Sequence, residues 1–262
     1  MLGFIGTGNM ASAIISGAVS SGFINAEDIA VFDISKEKTN ELKEKYALTV
    51  CESACEVVSK CDSVVLSVKP NVFKSLLPEI KEAVKDTLII SIAAGKSIDF
   101  ISSYLCEGAR IIRVMPNINA VVGEAMSAIC GNENATEEDR EFAFKLCSSF
   151  GKAVEIPEAQ FPIFGVIGGC SPAWAYMFID AMARAAVKNS MPKKQALEIC
   201  AQAVLGSAKM ILESGEHPFE LVDRVCSPGG TTIEGVLSLQ KDGFESAVAN
   251  AVNAAFEKDK KI

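Results

Sequence analysis

Apolar positions along the chain fall into two regimes that meet near Pro157. Before it, short apolar runs recur: Leu2–Ile5, Ile29–Asp33, Leu48–Val50, Ser63–Val68, Leu88–Ile92, Ala109–Val114, Ala125–Cys130 and Ala153–Ile156. Between them apolar residues return at helical spacing, which predicts helices over 8–21, 36–46, 52–59, 72–84, 98–106 and 137–149. The run at 63–68 is continuous rather than alternating, as a parallel strand buried on both faces requires. Strand and helix in alternation predict an α/β doubly wound sheet over residues 1–157. From 158 to 262 no strand pattern is visible. Helices are predicted over 171–189, 192–214, 219–225, 230–240 and 244–258. The class expected is therefore α/β, an N-terminal doubly wound sheet followed by an all-helical C-terminal domain.

Punctuation supports these boundaries. Gly22 is a natural stop for the first helix, Ser35 is placed to cap the second, and Thr136 to Asp139 opens the helix at 137. Ser171-Pro172 reads as N-cap and N1. Residues 161–179 carry no charge and approach membrane-spanning length. Gly168-Gly169-Cys170-Ser171-Pro172 is expected to break that run into two buried core helices. Residues 2–24 are also apolar, but no basic segment precedes them and glycines interrupt them, so an export signal is not expected.

The balance of −8 and a pI near 4.9 argue against a nucleic-acid partner. Nine cysteines without a C-x-x-C pair are expected as small buried thiols in a reducing compartment, and a cytoplasmic location follows. No metal-ligand spacing is present. The single histidine, His217, stands before a helix start, where a structural task is the plainer reading.

Chemistry enters at the first strand. Leu2–Ile5 runs into Gly6-Thr7-Gly8-Asn9-Met10-Ala11, a strand, a tight turn and a helix N-terminus, the arrangement that holds a dinucleotide pyrophosphate. Gly6 makes the turn, Gly8 leaves room for phosphates, and Ala11 lets the helix pack on the strand. Helix N–H groups and the positive dipole end then face the anion. Asp33 closes the second strand, where a carboxylate can bridge ribose hydroxyls and repel a 2′-phosphate. This favours NADH over NADPH. Two alternatives remain: a solvated strand-end aspartate, or a phosphate held by Ser35 and Lys36.

A second cluster lies at Ser227-Pro228-Gly229-Gly230-Thr231-Thr232. Hydroxyls and backbone N–H groups converge there at a helix start, a site for a carboxylate or phosphate, or more plainly a helix cap after a Pro-Gly turn. A general base near a reacting carbon is missing, since Lys69 at the end of a central strand is the one candidate beside His217. A protonated imine would need no strong acid, because it brings its own proton.

These motifs, with Val68-Lys69-Pro70, Arg113-Val114-Met115-Pro116-Asn117 and Ser171-Pro172-Ala173-Trp174, resemble those of the pyrroline-5-carboxylate reductases from end to end. The resemblance implies a Rossmann domain, a helical domain through which subunits dimerise (larger rings of dimers in some members), and reduction of 1-pyrroline-5-carboxylate to L-proline by NADH or NADPH. It implies that Gly6, Thr7, Gly8, Asn9, Met10 and Asp33 bind the cofactor, with Val68, Lys69, Pro70, Ala93 and Ala94 on the nicotinamide side. Glu158, Ser227, Gly230, Thr231 and Thr232 would bind substrate, and Thr232 with Lys69 would serve at the reacting centre. Three departures stand out. Asp33 replaces the small polar residue that welcomes a 2′-phosphate, Ala54 stands where an asparagine often meets the adenosine, and Trp174 replaces a tyrosine. Two other readings stay open: a reductase of another cyclic imine or keto acid, and a non-catalytic dinucleotide-binding regulator. The expected partners are a small-molecule substrate and a second copy of the chain, with no nucleic acid and no membrane.

Overall fold

A computed structural model describes residues 1–260; residues 261–262 of the expected helical domain lie outside them. All eight anticipated strands form one sheet: β1 (Leu2–Ile5), β2 (Ile29–Phe32), β3 (Thr49–Val50), β4 (Ser63–Leu66), β5 (Leu88–Ser91), β6 (Ile111–Met115), β7 (Ala125–Gly131) and β8 (Gly151–Glu155). Their spatial order is β3-β2-β1-β4-β5-β6-β7-β8, reversing direction across the sheet at β1/β4. Pairing is parallel except between β6 and β7.

The helices of this half are α1 (Asn9–Ser20), α2 (Lys36–Tyr46), α3 (Ala54–Lys60), α4 (Phe73–Ile80), α5 (Ile98–Ser102), α6 (Glu137–Ser148) and α7 (Phe161–Phe164). They bury two cores on opposite faces. Ile5, Val64 and Leu66 pack with α3, α4, Phe161 and Phe164, while Leu2, Phe4 and Val65 pack with α1 and α6. Successive strand residues thus face opposite ways, and both faces are apolar, which is why the run at 63–68 shows no alternation.

The remaining helices are α8 (Ser171–Lys188), α9 (Lys193–Ser214), α10 (Pro218–Val225), α11 (Thr231–Lys241) and α12 (Phe244–Asp259). The chain divides into two compact units at Gly169/Cys170, twelve residues beyond the change of sequence texture at Pro157. In the second unit α8 packs against α9, with Asp180 ion-paired to Arg184 and Lys193.

Two expectations are corrected. Gly168 to Pro172 does not break the apolar run, because Glu158–Lys188 is one helical stretch, with π-helical turns over Gly165–Cys170 leading into α8. Pro172 cannot donate to the Gly168 carbonyl four residues back, and the Asn117 side chain donates there instead at 2.9 Å. Ser171 is consequently inside the helix rather than its N-cap. By length and composition this stretch could cross a membrane, and little of it is buried. The second correction concerns Ser35, which occupies the N-cap position of α2 without a side-chain bond to the helix. Thr136, by contrast, forms the expected capping box with Asp139.

Candidate active site

Parallel β2, β1, β4 and β5 end at one edge of the sheet, so the segments that follow them emerge side by side. These are Asp33, Gly6–Met10, Val68–Pro70 and Ala93–Ala94. The turn after β1 requires glycine at position 6 for two reasons. Its φ is +96°, and an added Cβ would lie 2.8 Å from the Ser67 carbonyl oxygen and 3.0 Å from Val68 Cγ1. Ser67 fixes the turn from behind, its hydroxyl donating to the Gly6 carbonyl at 2.6 Å and to that of Ile5 at 3.0 Å.

Gly8 is the N-cap of α1 and caps nothing with a side chain, and a Cβ there would meet no atom within 4 Å. The α1 N-terminus is thus left uncapped beside open space, which is what an approaching pyrophosphate needs. Asn9 is exposed and Met10 half-buried. These residues fit a dinucleotide.

Asp33 is tied to this turn. Its Oδ2 accepts the Thr7 backbone N–H at 2.7 Å and the Thr7 hydroxyl at 3.1 Å, and its Oδ1 accepts the Ser35 N–H at 2.9 Å. Partial burial raises the carboxyl pKa, but hydrogen bonds from Ser35 and Thr7 outweigh it and hold the group below its ordinary 3.8. Ile34 beside it is 94% exposed. Lys36 makes a loose, exposed ion pair with Glu52. Ala54 is fully buried at the start of α3, so a side chain there belongs to the core.

On the other side of β1, Val68 is half-buried, whereas Lys69 and Pro70 are exposed, with Pro70 opening a short turn over Pro70–Val72. Ala93 is buried and Ala94 exposed. Glu158 Oε1 accepts from Arg113 Nη1 at 2.8 Å and from the Ile98 backbone N–H at 2.8 Å. Arg113 carried no role in the sequence reading. Its signal was an arginine inside the apolar strand Ile111–Met115, where a charge demands a buried partner.

Within the second unit, α10 ends at Val225 and α11 starts at Thr231. Gly229 has φ +70°, and a Cβ on Gly230 would lie 2.4 Å from Ser227 Oγ. The Gly230 N–H closes the turn onto the Ser227 carbonyl at 3.0 Å. Gly230 gives α11 no side-chain cap, so Thr231 and Thr232 open the helix with hydroxyls and N–H groups together. Ser227, Thr231 and Thr232 are exposed, and Thr232 lines a cavity of about 610 Å³ between α9, α10 and α11, with Arg224 and Ser207 among its walls.

His217 is the N-cap of α10, its Nδ1 accepting the Phe219 N–H at 3.2 Å. Trp174 is half-buried near the start of α8. Among the described residues, no group of three or more His, Cys, Asp or Glu side chains is placed to hold a metal. Four cysteines are buried, Cys51, Cys61, Cys130 and Cys147. Four more are half-buried and Cys170 is exposed, so burial holds for only part of the set.

Comparison with known proteins agrees with this anatomy. Residues 158–262 match the family described as pyrroline-5-carboxylate reductase dimerisation, and residues 1–95 match the family described as NADP oxidoreductase coenzyme F420-dependent. The chain is 43% identical over 263 residues to pyrroline-5-carboxylate reductase of Escherichia coli, covering 100% of this chain and 97% of that one. The chain belongs to the pyrroline-5-carboxylate reductase family. The enzyme of Methanosarcina acetivorans is 41% identical, again over 100% and 97% of the two chains. A solved Plasmodium falciparum pyrroline carboxylate reductase with NADP bound superposes with a TM-score of 0.88 at 34% identity, over 99% of this chain and 97% of that one. The family is one of NAD(P)-dependent oxidoreductases, and its dimerisation domain makes homo-oligomers. That gives a reason for the exposed apolar side chains of the second unit, among them Met177, Leu205, Leu212 and Val225.

Proposed function

We propose that this chain reduces 1-pyrroline-5-carboxylate to L-proline with NADH or NADPH. The observation that carries the reading is a pair of glycine-opened, uncapped helix N-termini, one after β1 and one at α11, the second lined with threonine hydroxyls. The first suits a pyrophosphate and the second a carboxylate. Bound at the β1 turn, the reduced dinucleotide supplies a hydride.

The chain's own residues bind and orient. Gly6 to Met10 hold the phosphates, and Asp33 takes the ribose hydroxyls through lone pairs that Thr7 and Ser35 leave open, so NADH is preferred. Val68, Pro70, Ala93 and Ala94 flank the nicotinamide, and Lys69 adds an ammonium there. Ser227, Gly230, Thr231 and Thr232 hold the substrate carboxylate, and the Thr232 hydroxyl accepts the ring N–H. Because the iminium nitrogen arrives protonated, hydride addition to its carbon yields the neutral amine with no further acid. Glu158 takes a bracing task, its Oε1 serving Arg113 and the Ile98 N–H.

The apolar faces of α8 to α12 are covered by a second copy, with rings of dimers as the larger assembly. Asp180 is midway along α8 and paired with Lys193 of α9, an arrangement that suits a helix pair in water better than a bilayer. Nine free thiols suit a cytoplasmic location. The test is purified protein with 1-pyrroline-5-carboxylate and either cofactor. Proline formation supports the reading, and its absence with both removes it.

A further inference from the structure

Arg113 sits in β6 beside Ser91 of β5, and these two positions flank the Ala93–Ser97 loop at its base. At the loop entry, Ser91 Oγ accepts the Ala93 N–H at 3.4 Å. At its exit, Glu158 Oε1 accepts the Ile98 N–H, and Ser97 Oγ caps α5 by accepting the Phe100 N–H at 3.1 Å. Gly95 between them has φ +68°. Glu158 is held in turn by Arg113, whose side chain is 8% exposed against 30% for Glu158. The guanidinium lies 4.5 Å from the centre of the fully buried Phe161 ring, and its Nε has no partner among the described residues. A buried arginine with one anion and one ring face has little freedom, so the carboxylate it grips is fixed as well.

We propose that Arg113 is a positioning residue for hydride transfer: acting through Glu158, it fixes the exit of the Ala93–Ser97 loop and so the wall that Ala93 and Ala94 present to the cofactor's reacting end. This rests on the reading that the loop flanks the nicotinamide. On that reading Gly6 to Met10 hold the phosphates and Ser227 to Thr232 the carboxylate, and the bonds of the pair go to Ile98 and to each other. Its loss therefore alters the geometry of the reaction more than the binding of either ligand.

The full-length enzyme is compared with Arg113→Lys, Glu158→Gln and the neutral double variant Arg113→Met/Glu158→Gln, which avoids an unpaired buried charge. Each is measured for thermal midpoint, NADH affinity without substrate, kcat, KM for 1-pyrroline-5-carboxylate, and the deuterium isotope effect at the transferred hydrogen. In the folded double variant kcat should fall about tenfold or more, as expected when reacting atoms are displaced by a fraction of an ångström. KM and cofactor affinity should stay within about threefold, the isotope effect should rise, and Arg113→Lys should retain most of the activity. An unchanged kcat and isotope effect in a folded variant overturns the proposal, as does a rise confined to the substrate KM, which makes Glu158 a substrate ligand. If the double variant does not fold, Glu158→Gln is read by the same criteria. If the wild type turns over no pyrroline-5-carboxylate, the proposed function fails separately. Hydrogen exchange of residues 92–98 then decides, tenfold faster exchange in the variant supporting the brace and equal exchange overturning it.

Discussion

The Asp33 carboxylate accepts the Thr7 backbone N–H at 2.7 Å and the Thr7 hydroxyl at 3.1 Å. The residue placed to read the ribose and the turn placed to hold the phosphates are therefore one hydrogen-bonded unit. On the proposed function, cofactor preference and turn geometry are coupled through a single side chain.

Asp33→Ser removes the anion that repels a 2′-phosphate. The ratio of kcat/KM for NADPH over NADH should rise by about tenfold, which corresponds to ~1.4 kcal/mol between the two cofactors. An unchanged ratio would end the discriminating role of Asp33.

The same carboxylate predicts a pH signature. Its folded pKa is below 3.8, so its stabilising contribution is present above that pH and is lost as the pH falls through the lower folded value. Thermal midpoints of wild type and Asp33→Asn should differ by a constant amount from neutral pH down to the upper edge of the carboxylate range and converge only in stronger acid. Convergence near neutrality would contradict the lowered pKa.

Gly6 and Gly8 should separate in their effects. Gly6→Ala places a Cβ 2.8 Å from a backbone oxygen at φ +96°. It should cost about 2 kcal/mol or more in urea unfolding. Gly8→Ala enters open space at φ −70° and should change stability by less than about 0.5 kcal/mol. It should nevertheless weaken NADH binding at least tenfold, because the methyl would occupy the phosphate position. Full affinity in Gly8→Ala would show that the phosphates lie elsewhere.

Thr232→Ala should raise KM or lower kcat by ~10-fold, the loss expected when a charge-assisted contact of ~1.5–3 kcal/mol disappears. Steady-state kinetics decide this, and unchanged parameters remove Thr232 from the site. Gly230→Ala should impair the same parameters by displacing Ser227 Oγ, 2.4 Å from the new methyl.

Leu205 and Leu212 on α9 are 56% and 69% exposed. The variant Leu205→Glu/Leu212→Glu should sediment as a smaller species than wild type at the same concentration, since two charges would enter an apolar interface. Equal sedimentation would place the subunit contact on other faces.

The sequence by itself determined the eight strands, the order of helices and the two glycine-rich helix starts. Those follow from local causes: β-branched runs, helical spacing, and positions where backbone needs glycine. Gly6 was legible because a left-handed, closely approached backbone disfavours any Cβ, and Gly230 because a Cβ there would crowd the Ser227 hydroxyl. Tertiary structure decided what each charged or polar side chain meets. Pro172 announced a helix break, yet Asn117 supplies the donor that the proline lacks, and the helix continues. Nothing local to Glu158 announced that Arg113, 45 positions earlier, and the Ile98 N–H would both bond its Oε1. Ser35 had the type and place of a cap, yet its side chain makes no bond to the helix and its own N–H goes to Asp33 Oδ1. For Pro172 and Glu158 the partner lies on another strand or segment, and no local pattern encodes so distant a hydrogen bond.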